Sequence, residues 1–335
     1  MKKILYITVI TLFALAGLDV NAQSVTYRVT KDDPYDIKNF SLAIDPLFVD
    51  VNGQNGYAFG WGARADYMMG KRLLLNFDVR SGFGTNGYRI SNDNTKNYFY
   101  MEGVIGLVLS HRTVTRNAPI ILSKSSYSSG GYTYTSTLSI KGGVPARNRK
   151  LFALRAGVYQ MNNSLNYKNL YDSLMTFKGA GKEFTYRDSA NASITKNKID
   201  QWGALSSTAI FGGFNFRTIR QLEVDVDGWG YRENKAYSDF FIDGIFAPIL
   251  LIRDYKTENG DKFNVKYTKA NHFGWRAGWV MRKPKDQGFS FKFEFGQRPG
   301  LKAVDNKQVV NFKNWYCMFT YGLYIPLKVK PVYTE

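Results

Sequence analysis

The sequence predicts an all-β fold, a transmembrane antiparallel up-and-down β-barrel, and three observations support that prediction. First, segments of about ten residues alternate apolar with polar side chains along most of the chain. Second, this length suits a tilted strand that crosses a bilayer, which needs roughly 9–11 residues, whereas strands of soluble sheets average about 5–6. Third, no helical periodicity competes after residue 22, and aromatic residues make up 16% of the chain.

The segment GFSFKFEFGQ, residues 288–297, shows the alternation most clearly. Phenylalanines occupy every second position, and Lys292 and Glu294 lie between them. Because successive side chains of a strand point to opposite faces, one face is aromatic and the other is charged. Turning Lys292 toward lipid would cost about 2–4 kcal/mol at the bilayer midplane, so the aromatic face is predicted to meet lipid. A soluble β-sandwich is the alternative, but its water-facing side would not need the many glycines that accompany these charges.

The pattern predicts ten barrel strands and leaves a count of twelve open. Residues 111–149 and 218–238 also have β character, and each would add one strand in the alternative. An even number of strands places both termini in the periplasm, so the short connections at 70–72 and 283–287 are predicted to be periplasmic. The long connections, predicted to lie outside, are residues 84–97, 161–203, 253–271 and 299–313. The predicted strands are residues 40–51, 57–69, 73–83, 98–110, 150–160, 204–217, 239–252, 272–282, 288–298 and 314–327.

The N-terminus has the features of a secretory signal peptide cleaved after residue 22. Lys2 and Lys3 precede an apolar stretch at 4–17, and Val20 and Ala22 are the small residues expected before a cleavage site. An uncleaved anchor helix is disfavoured because a membrane-spanning helix needs about 20 apolar residues. The predicted organisation is a signal peptide at 1–22, a periplasmic N-terminal segment at 23–39 and the barrel at 40–335.

The formal net charge is +18, and Cys317 is the only cysteine. A single cysteine excludes an internal disulfide framework, so the fold must depend on packing and on hydrogen bonds between strands. In an exported protein, a basic surface favours outer-membrane lipid, lipopolysaccharide phosphates and acidic glycans over nucleic acid as partners. A basic surface that is merely solvated is the alternative.

The polar faces of the predicted strands carry charged residues of both signs, which would line the barrel lumen. They allow two interpretations: a selective pore, or an interior in which the charges pair with one another. Eight strands leave an interior that side chains just fill, and open channels appear near 16–18 strands, so a count near ten favours the paired interior. The predicted lumen-lining residues are Arg64, Asp66, Asp78, Arg80, Glu102, Arg155, Asp243, Arg276, Lys292 and Glu294.

Catalytic chemistry has little support in the sequence, in which His111 and His272 are the only histidines. Asp243 is the candidate acid partner of His272, but the two are predicted to lie at different heights of the barrel wall, beyond hydrogen-bonding distance. No cysteine cluster, metal-ligand spacing or phosphate-binding loop is present in the sequence. We therefore expect a non-enzymatic protein without metal or cofactor, and an outer-membrane hydrolase is the disfavoured alternative.

The last predicted strand contains TYGLYIPL, in which Thr320, Gly322, Ile325 and Leu327 follow a polar, glycine, hydrophobic, hydrophobic pattern. This pattern resembles the C-terminal signal of Gram-negative outer-membrane β-barrel proteins. The resemblance implies insertion into the cell outer membrane by the barrel-assembly machinery. The chain departs from the commonest form of the signal, since it continues with KVKPVYTE and has no terminal aromatic residue.

For function, we expect a structural or accessory component of the envelope whose long loops bind an envelope protein or a glycan. A narrow porin-like channel for small solutes is the alternative. Such a channel would prefer anions if basic residues outweigh acidic residues at its constriction.

Overall fold

The computed structural model describes residues 25–52, 56–83, 98–166, 202–252, 255–256, 262–263, 268–283, 287–305, 308–311 and 315–329. Within these ranges every regular element is a β-strand, and no helix is long and apolar enough to cross a membrane. The predicted signal peptide at 1–22 and the predicted loop at 84–97 lie outside the described residues.

The strands are numbered along the chain. They are β1 (Tyr27–Asp32), β2 (Phe40–Asn52), β3 (Gly56–Met69), β4 (Leu73–Gly82), β5 (Phe99–Ala118), β6 (Ile121–Ser129), β7 (Tyr132–Ser139), β8 (Val144–Asn166), β9 (Trp202–Val226), β10 (Gly230–Ile252), β11 (Tyr255–Lys256), β12 (Lys262–Phe263), β13 (Thr268–Asn271), β14 (Phe273–Arg282), β15 (Gly288–Gln297), β16 (Gly300–Asp305), β17 (Gln308–Asn311) and β18 (Trp315–Leu327).

Ten of these strands close into a ring. Going around it, the order is β2, β3, β4, β5, β8, β9, β10, β14, β15 and β18, and β18 pairs again with β2. The pairings are antiparallel and follow the chain, for example with Phe293 opposite Phe319 between β15 and β18. The predicted ten-strand up-and-down barrel is therefore confirmed, and the described residues hold no twelve-strand ring. One more strand, β1, is not part of the ring and pairs with the C-terminal end of β9 at residues 222–226.

Residues 111–149 and 218–238, which left the predicted strand count open, add no strand to the ring. They lengthen its strands instead. β5 and β8 run for 20 and 23 residues, and β9 and β10 for 25 and 23 residues. Residues 111–149 hold the end of β5, the β6–β7 hairpin and the start of β8, while residues 218–238 hold the end of β9 and the start of β10. The predicted loop at 161–203 is also shorter than expected, because β8 continues to Asn166 and β9 begins at Trp202.

Pro46 sits inside β2 without interrupting the barrel, because the pairing has an irregularity there. The register between β2 and β3 shifts between Asp45 and Phe48, which leaves Pro46 outside the regular ladder. Proline has no backbone N–H to donate, so it is tolerated in a sheet at such a bulge.

The chain divides into two compact units. The barrel unit comprises Asp33–Thr115, Arg147–Gln221 and Lys235–Glu335, and the small unit comprises Met1–Asp32, Arg116–Ala146 and Leu222–Asn234. The small unit has its own apolar core, to which the side chains of β5, β6, β8 and β9 contribute. This core consists of Ala118, Ile120, Leu122, Ile140, Val144, Ala146, Leu222, Val224 and Val226, with Val25 packed against it.

Candidate functional site

The two faces of the barrel wall differ in the manner expected of a membrane barrel. In β15, Phe291 and Phe293 are 38% and 40% exposed, whereas Lys292 and Glu294 between them are 5% and 1% exposed. The same alternation recurs on β5, β8, β9 and β10, where the exposed side chains are large and apolar. The candidate site is therefore the barrel interior. Its two ends are named here the turn end, with the connections at 70–72 and 283–287, and the loop end opposite.

An aromatic layer fills the interior toward the loop end. Tyr100 stacks on Tyr159 with ring centroids 5.6 Å apart, and Phe48 packs against Tyr98 at 5.1 Å. All four are nearly inaccessible to solvent. Among the described residues, this layer consists of Phe48, Ala58, Tyr98, Tyr100, Val104, Tyr159, Met161, Ala209, Phe211, Ile245 and Ala247.

A network of ion pairs lies at mid-height, and Arg276 is its most connected member. Its guanidinium donates to Asp243 at 2.8 Å and to Glu102, and it lies 3.6 Å from Glu294. Arg155 lies 3.1 Å from Asp243 and 3.5 Å from Glu102. The two arginines therefore bridge three carboxylates from three different strands.

Lys292 connects this network to Asp78 on β4. Its ammonium lies 2.9 Å from Asp78 and 3.2 Å from Glu294. Asp78 also accepts a hydrogen bond from Arg80, which is fully buried and contacts Met318. Charges from β4, β5, β8, β10, β14 and β15 thus meet across the lumen.

A second network lies nearer the turn end and centres on Asp66. Arg217 and Arg282 donate to its carboxylate at 2.8 Å and 2.7 Å. Arg217 also donates to Asp239 at 2.7 Å. The Tyr237 ring lies 3.9 Å from the guanidinium carbon of Arg282, a cation–π contact that holds the arginine in place.

Two further ion pairs lie in the interior. Arg64 forms a bidentate pair with Asp45, with both N···O distances at 2.6 Å. Arg298 lies 2.8 Å from Asp50, and its guanidinium carbon is 3.8 Å from the centre of the Tyr316 ring.

The charges of these pairs balance. Among the described residues, the ion pairs named above involve eight basic and eight acidic side chains. The basic ones are Arg64, Arg80, Arg155, Arg217, Arg276, Arg282, Lys292 and Arg298, and the acidic ones are Asp45, Asp50, Asp66, Asp78, Glu102, Asp239, Asp243 and Glu294.

All ten residues predicted from the sequence to line the lumen lie in these networks, but six partners were missed. Arg217, Asp239 and Asp50 occupy the inward positions of their strands, so the alternation could have identified them. Arg282, the last residue of β14, and Arg298, directly after β15, also continue the inward alternation of the predicted strands 272–282 and 288–298. Asp45 lies beside the β2 irregularity, where the alternation breaks.

A small cavity with a volume of about 70 Å³ lies among the interior side chains. Arg64, Asp66, Asp78, Arg155 and Lys292 contribute to its lining, together with uncharged side chains such as Phe241. A polar cavity of this size has room for a few water molecules, which would hydrogen-bond to the surrounding charges.

The turn end is closed by apolar side chains and by the N-terminal segment. Ile37 packs against a cluster in the interior formed by Met68, Leu74, Val108, Leu151 and Ala153. Two residues before Ile37, the Tyr35 hydroxyl lies 2.9 Å from the Thr113 hydroxyl, and the Arg149 guanidinium carbon lies 4.7 Å from the Tyr35 ring centre.

Neither histidine takes part in an acid–base pair in the described part of the chain. His111 Nε2 lies 3.2 Å from the Tyr35 hydroxyl. His272 Nδ1 lies 2.6 Å from the Ala247 carbonyl oxygen, while Asp243 is opposite Arg276 in the β10–β14 register and pairs with it. The described residues also contain no group of three or more His, Cys, Asp or Glu side chains that could hold a metal ion.

The residues of the predicted assembly signal lie on both faces of β18. Thr320 is fully buried, whereas Ile325 and Leu327 are 37% and 46% exposed on the outer wall. Gly322 lies against β2, where a Cβ atom would come 1.9 Å from Asp45 Oδ1. Any side chain at this position would therefore displace the Asp45 carboxylate that pairs with Arg64.

A closed antiparallel ring with an exposed apolar wall and a charged interior is the architecture of outer-membrane β-barrel proteins, and this chain has that fold. Solved structures that are similar to it include the following two. A protein described as the CymD monoaromatic hydrocarbon channel is 10% identical, with 89% of this chain and 91% of that chain covered and a TM-score of 0.21. OmpT, an outer membrane protein of Vibrio cholerae folded in vitro, is 12% identical, with 89% and 99% covered and a TM-score of 0.13.

No protein-family model and no curated protein matches the chain. The chain's own strand pairing and burial define this class of fold.

Proposed function

We propose that the chain is an integral outer-membrane protein, with the turn end in the periplasm and the loop end outside the cell. The apolar outer wall supports this location, since exposed phenylalanines on β9, β10 and β15 would be unfavourable in water and favourable in lipid. The expected observation is heat-modifiable migration on SDS gels and fractionation with outer membranes. A protein that stays in solution without detergent would contradict the proposal.

Within that location, the proposed function is that of a closed barrel, a non-enzymatic structural or accessory component of the envelope. The observation that carries this proposal is the interior itself, in which an aromatic layer, paired charges and an apolar layer follow one another. A conducting path would require separating several of the buried ion pairs. Removing one partner of such a pair typically costs about 3–5 kcal/mol, so spontaneous opening should be rare.

Planar-bilayer recording tests the closed barrel directly. The purified protein should insert, as checked by protease protection of the reconstituted vesicles, and give no steady conductance. A porin reconstituted at the same protein-to-lipid ratio is the positive control. Reproducible single-channel steps in the wild-type protein would refute the closed state.

A narrow channel is the second candidate, and the cavity among the interior charges favours it. With eight basic and eight acidic side chains in the pairs described above, such a channel should discriminate little between anions and cations. A reversal potential near zero in a salt gradient is the expected outcome under this candidate.

Partner binding is the third element of the proposal. The predicted partner loop at 161–203 lies almost wholly outside the described residues, but the β6–β7 hairpin offers a described surface. Tyr127, Tyr132 and Tyr134 are 63%, 72% and 48% exposed, and the rings of Tyr127 and Tyr134 stack at 5.1 Å. An envelope protein or glycan would be recovered in a pull-down from detergent-solubilised membranes, and separate deletions of 165–200 and of the hairpin would show which surface it needs.

The absence of enzymatic activity is part of the same proposal. Since His272 contacts a backbone carbonyl and Asp243 is committed to arginines, His272→Ala should leave folding unchanged. Purified wild-type protein should hydrolyse neither peptides nor phospholipids. Hydrolysis that is lost in the variant would overturn this part.

A further inference from the structure

The exposure of one face of β9 changes abruptly along the strand. Phe214 and Phe216 are 47% and 48% exposed, whereas Leu222 and Val224 are fully buried. All four have even numbers and lie on the same side of a regular strand. This face of β9 is therefore exposed in the barrel unit up to Phe216 and buried in the core of the small unit from Leu222 onward.

β8 shows the same change on the same side. Leu154 is 42% exposed, and Val144 and Ala146 are fully buried. Phe152 stands opposite Phe216 in the β8–β9 register, so the two strands change together. Lipid can cover the exposed part of this face. The buried part is covered by other side chains of the protein, as an apolar face must be in water. The edge of the bilayer is thus placed between Phe216 and Leu222.

Two basic side chains lie on the outward face at this edge. Lys150 is opposite Thr218, and Arg220 is one outward position further from the bilayer on β9. Both basic side chains are partly exposed. Neither forms an ion pair with any residue of the described ranges, and the Nε atom of Arg220 has no hydrogen-bond partner there. By contrast, the basic side chains of the interior networks all have carboxylate partners.

On the bilayer side of Lys150 and Arg220, the outer wall of the barrel is aromatic. The Phe152 ring lies 5.0 Å from the Phe216 ring and 5.7 Å from the Phe214 ring. A phospholipid whose acyl chain lies along these rings would bring its phosphate to the height of Lys150, Thr218 and Arg220. Ammonium, guanidinium and hydroxyl groups are the donors that a phosphate diester prefers.

We propose that Lys150 and Arg220 form a binding site for the headgroup of an anionic phospholipid in the leaflet next to the turn end. This inference rests on the proposed membrane location and adds a specific lipid class to it. Each basic residue at a membrane surface strengthens attraction to anionic lipid, so losing both should weaken binding about 10-fold or more.

Native mass spectrometry of the protein in a neutral detergent tests the site, with dimyristoyl phosphatidylglycerol or phosphatidylcholine as the added lipid. Lys150→Gln/Arg220→Gln should reduce the phosphatidylglycerol-bound fraction about 10-fold or more. The matched control, Lys124→Gln/Lys141→Gln, removes the same charge from two exposed lysines of the small unit and should bind like wild type. Millimolar inorganic phosphate should not displace the lipid.

Three outcomes would overturn the inference: equal binding of phosphatidylcholine by wild type, unchanged binding of phosphatidylglycerol by Lys150→Gln/Arg220→Gln, or displacement by inorganic phosphate, which would indicate a general anion site. Heat-modifiable migration of each variant confirms that it is folded. Flotation with pure phosphatidylcholine vesicles reports membrane insertion separately, so failure of the lipid site and failure of the membrane location give different results.

Discussion

The barrel interior and the core of the small unit are built from the same alternating strands, yet they bury opposite chemistry. The barrel interior buries Arg276 and Glu294 at 1% exposure each, and the small unit buries Ile120 and Val144 completely. The difference teaches that the surrounding solvent decides which strand face becomes the core. In the proposed membrane location, lipid accepts the apolar face and leaves the charges inside, whereas water drives the apolar face inward.

The two cores should also fail in different ways. A charged interior depends on pairing, so deleting one member leaves its partners buried and uncompensated. An apolar core loses only the burial of the removed atoms and gains a cavity. The following substitutions test this contrast, beginning with the largest expected effect.

Arg276→Ala should be the most damaging single change, lowering the free energy of unfolding by about 3–5 kcal/mol. It leaves Asp243 with Arg155 alone and removes the closest cation of Glu102. Urea unfolding in lipid vesicles, followed by tryptophan fluorescence, measures the loss. Arg232→Ala is the control, because this arginine donates to backbone carbonyls in the small unit and pairs with none of the interior carboxylates named above. Equal losses in the two variants would show that pairing does not hold the interior.

Leu222→Ala should cost about 2–5 kcal/mol of local stability, because it leaves a cavity in the apolar core of the small unit. Amide hydrogen exchange should accelerate at 222–226 and in β1, which pairs with this part of β9. Exchange in β15 and β18 should stay as slow as in the wild type. If the whole barrel loosens together, the two cores form one cooperative unit and the contrast between them fails.

Gly213→Ala tests how closely the barrel strands approach each other. The added Cβ would lie 1.9 Å from the Ile242 carbonyl oxygen, so strands β9 and β10 would have to move apart, at a cost of about 1–3 kcal/mol. Gly103→Ala is the matched control in another barrel strand, since no atom lies within 4 Å of its added Cβ. The temperature at which the band shifts in heat-modifiability gels should fall for the first variant only. A fall of the same size in both would assign the effect to strand propensity.

Tyr132→Ser should have the smallest effect, within about 0.5 kcal/mol, because this tyrosine is 72% exposed on the hairpin. The measurement is the same unfolding experiment as for Arg276→Ala. A loss above 1 kcal/mol would mean that the hairpin face is packed in the membrane-embedded protein, and the boundary of the small-unit core would need to be redrawn.

Much of the barrel follows from the amino-acid pattern alone. The alternation around Phe291 and Lys292 has a period of two, which specifies a strand and separates its faces. The cost of a charge in lipid then assigns those faces, and the length of the segments sets the crossing. The ten strands and the inward direction of residues such as Arg80 and Glu102 were accessible from this local information.

What the tertiary structure decided is which side chains meet and where the exposed apolar face ends. The pairs Arg217–Asp66 and Arg298–Asp50 join residues far apart in the chain, and only ring closure brings them together. On that face of β9, Thr218 and Arg220 interrupt the apolar pattern between Phe216 and Leu222, but the sequence does not show that the chain itself covers Leu222 and leaves Phe216 exposed. That boundary depends on whether another layer of the chain covers the face, and covering is a property of packing between distant segments rather than of any one strand.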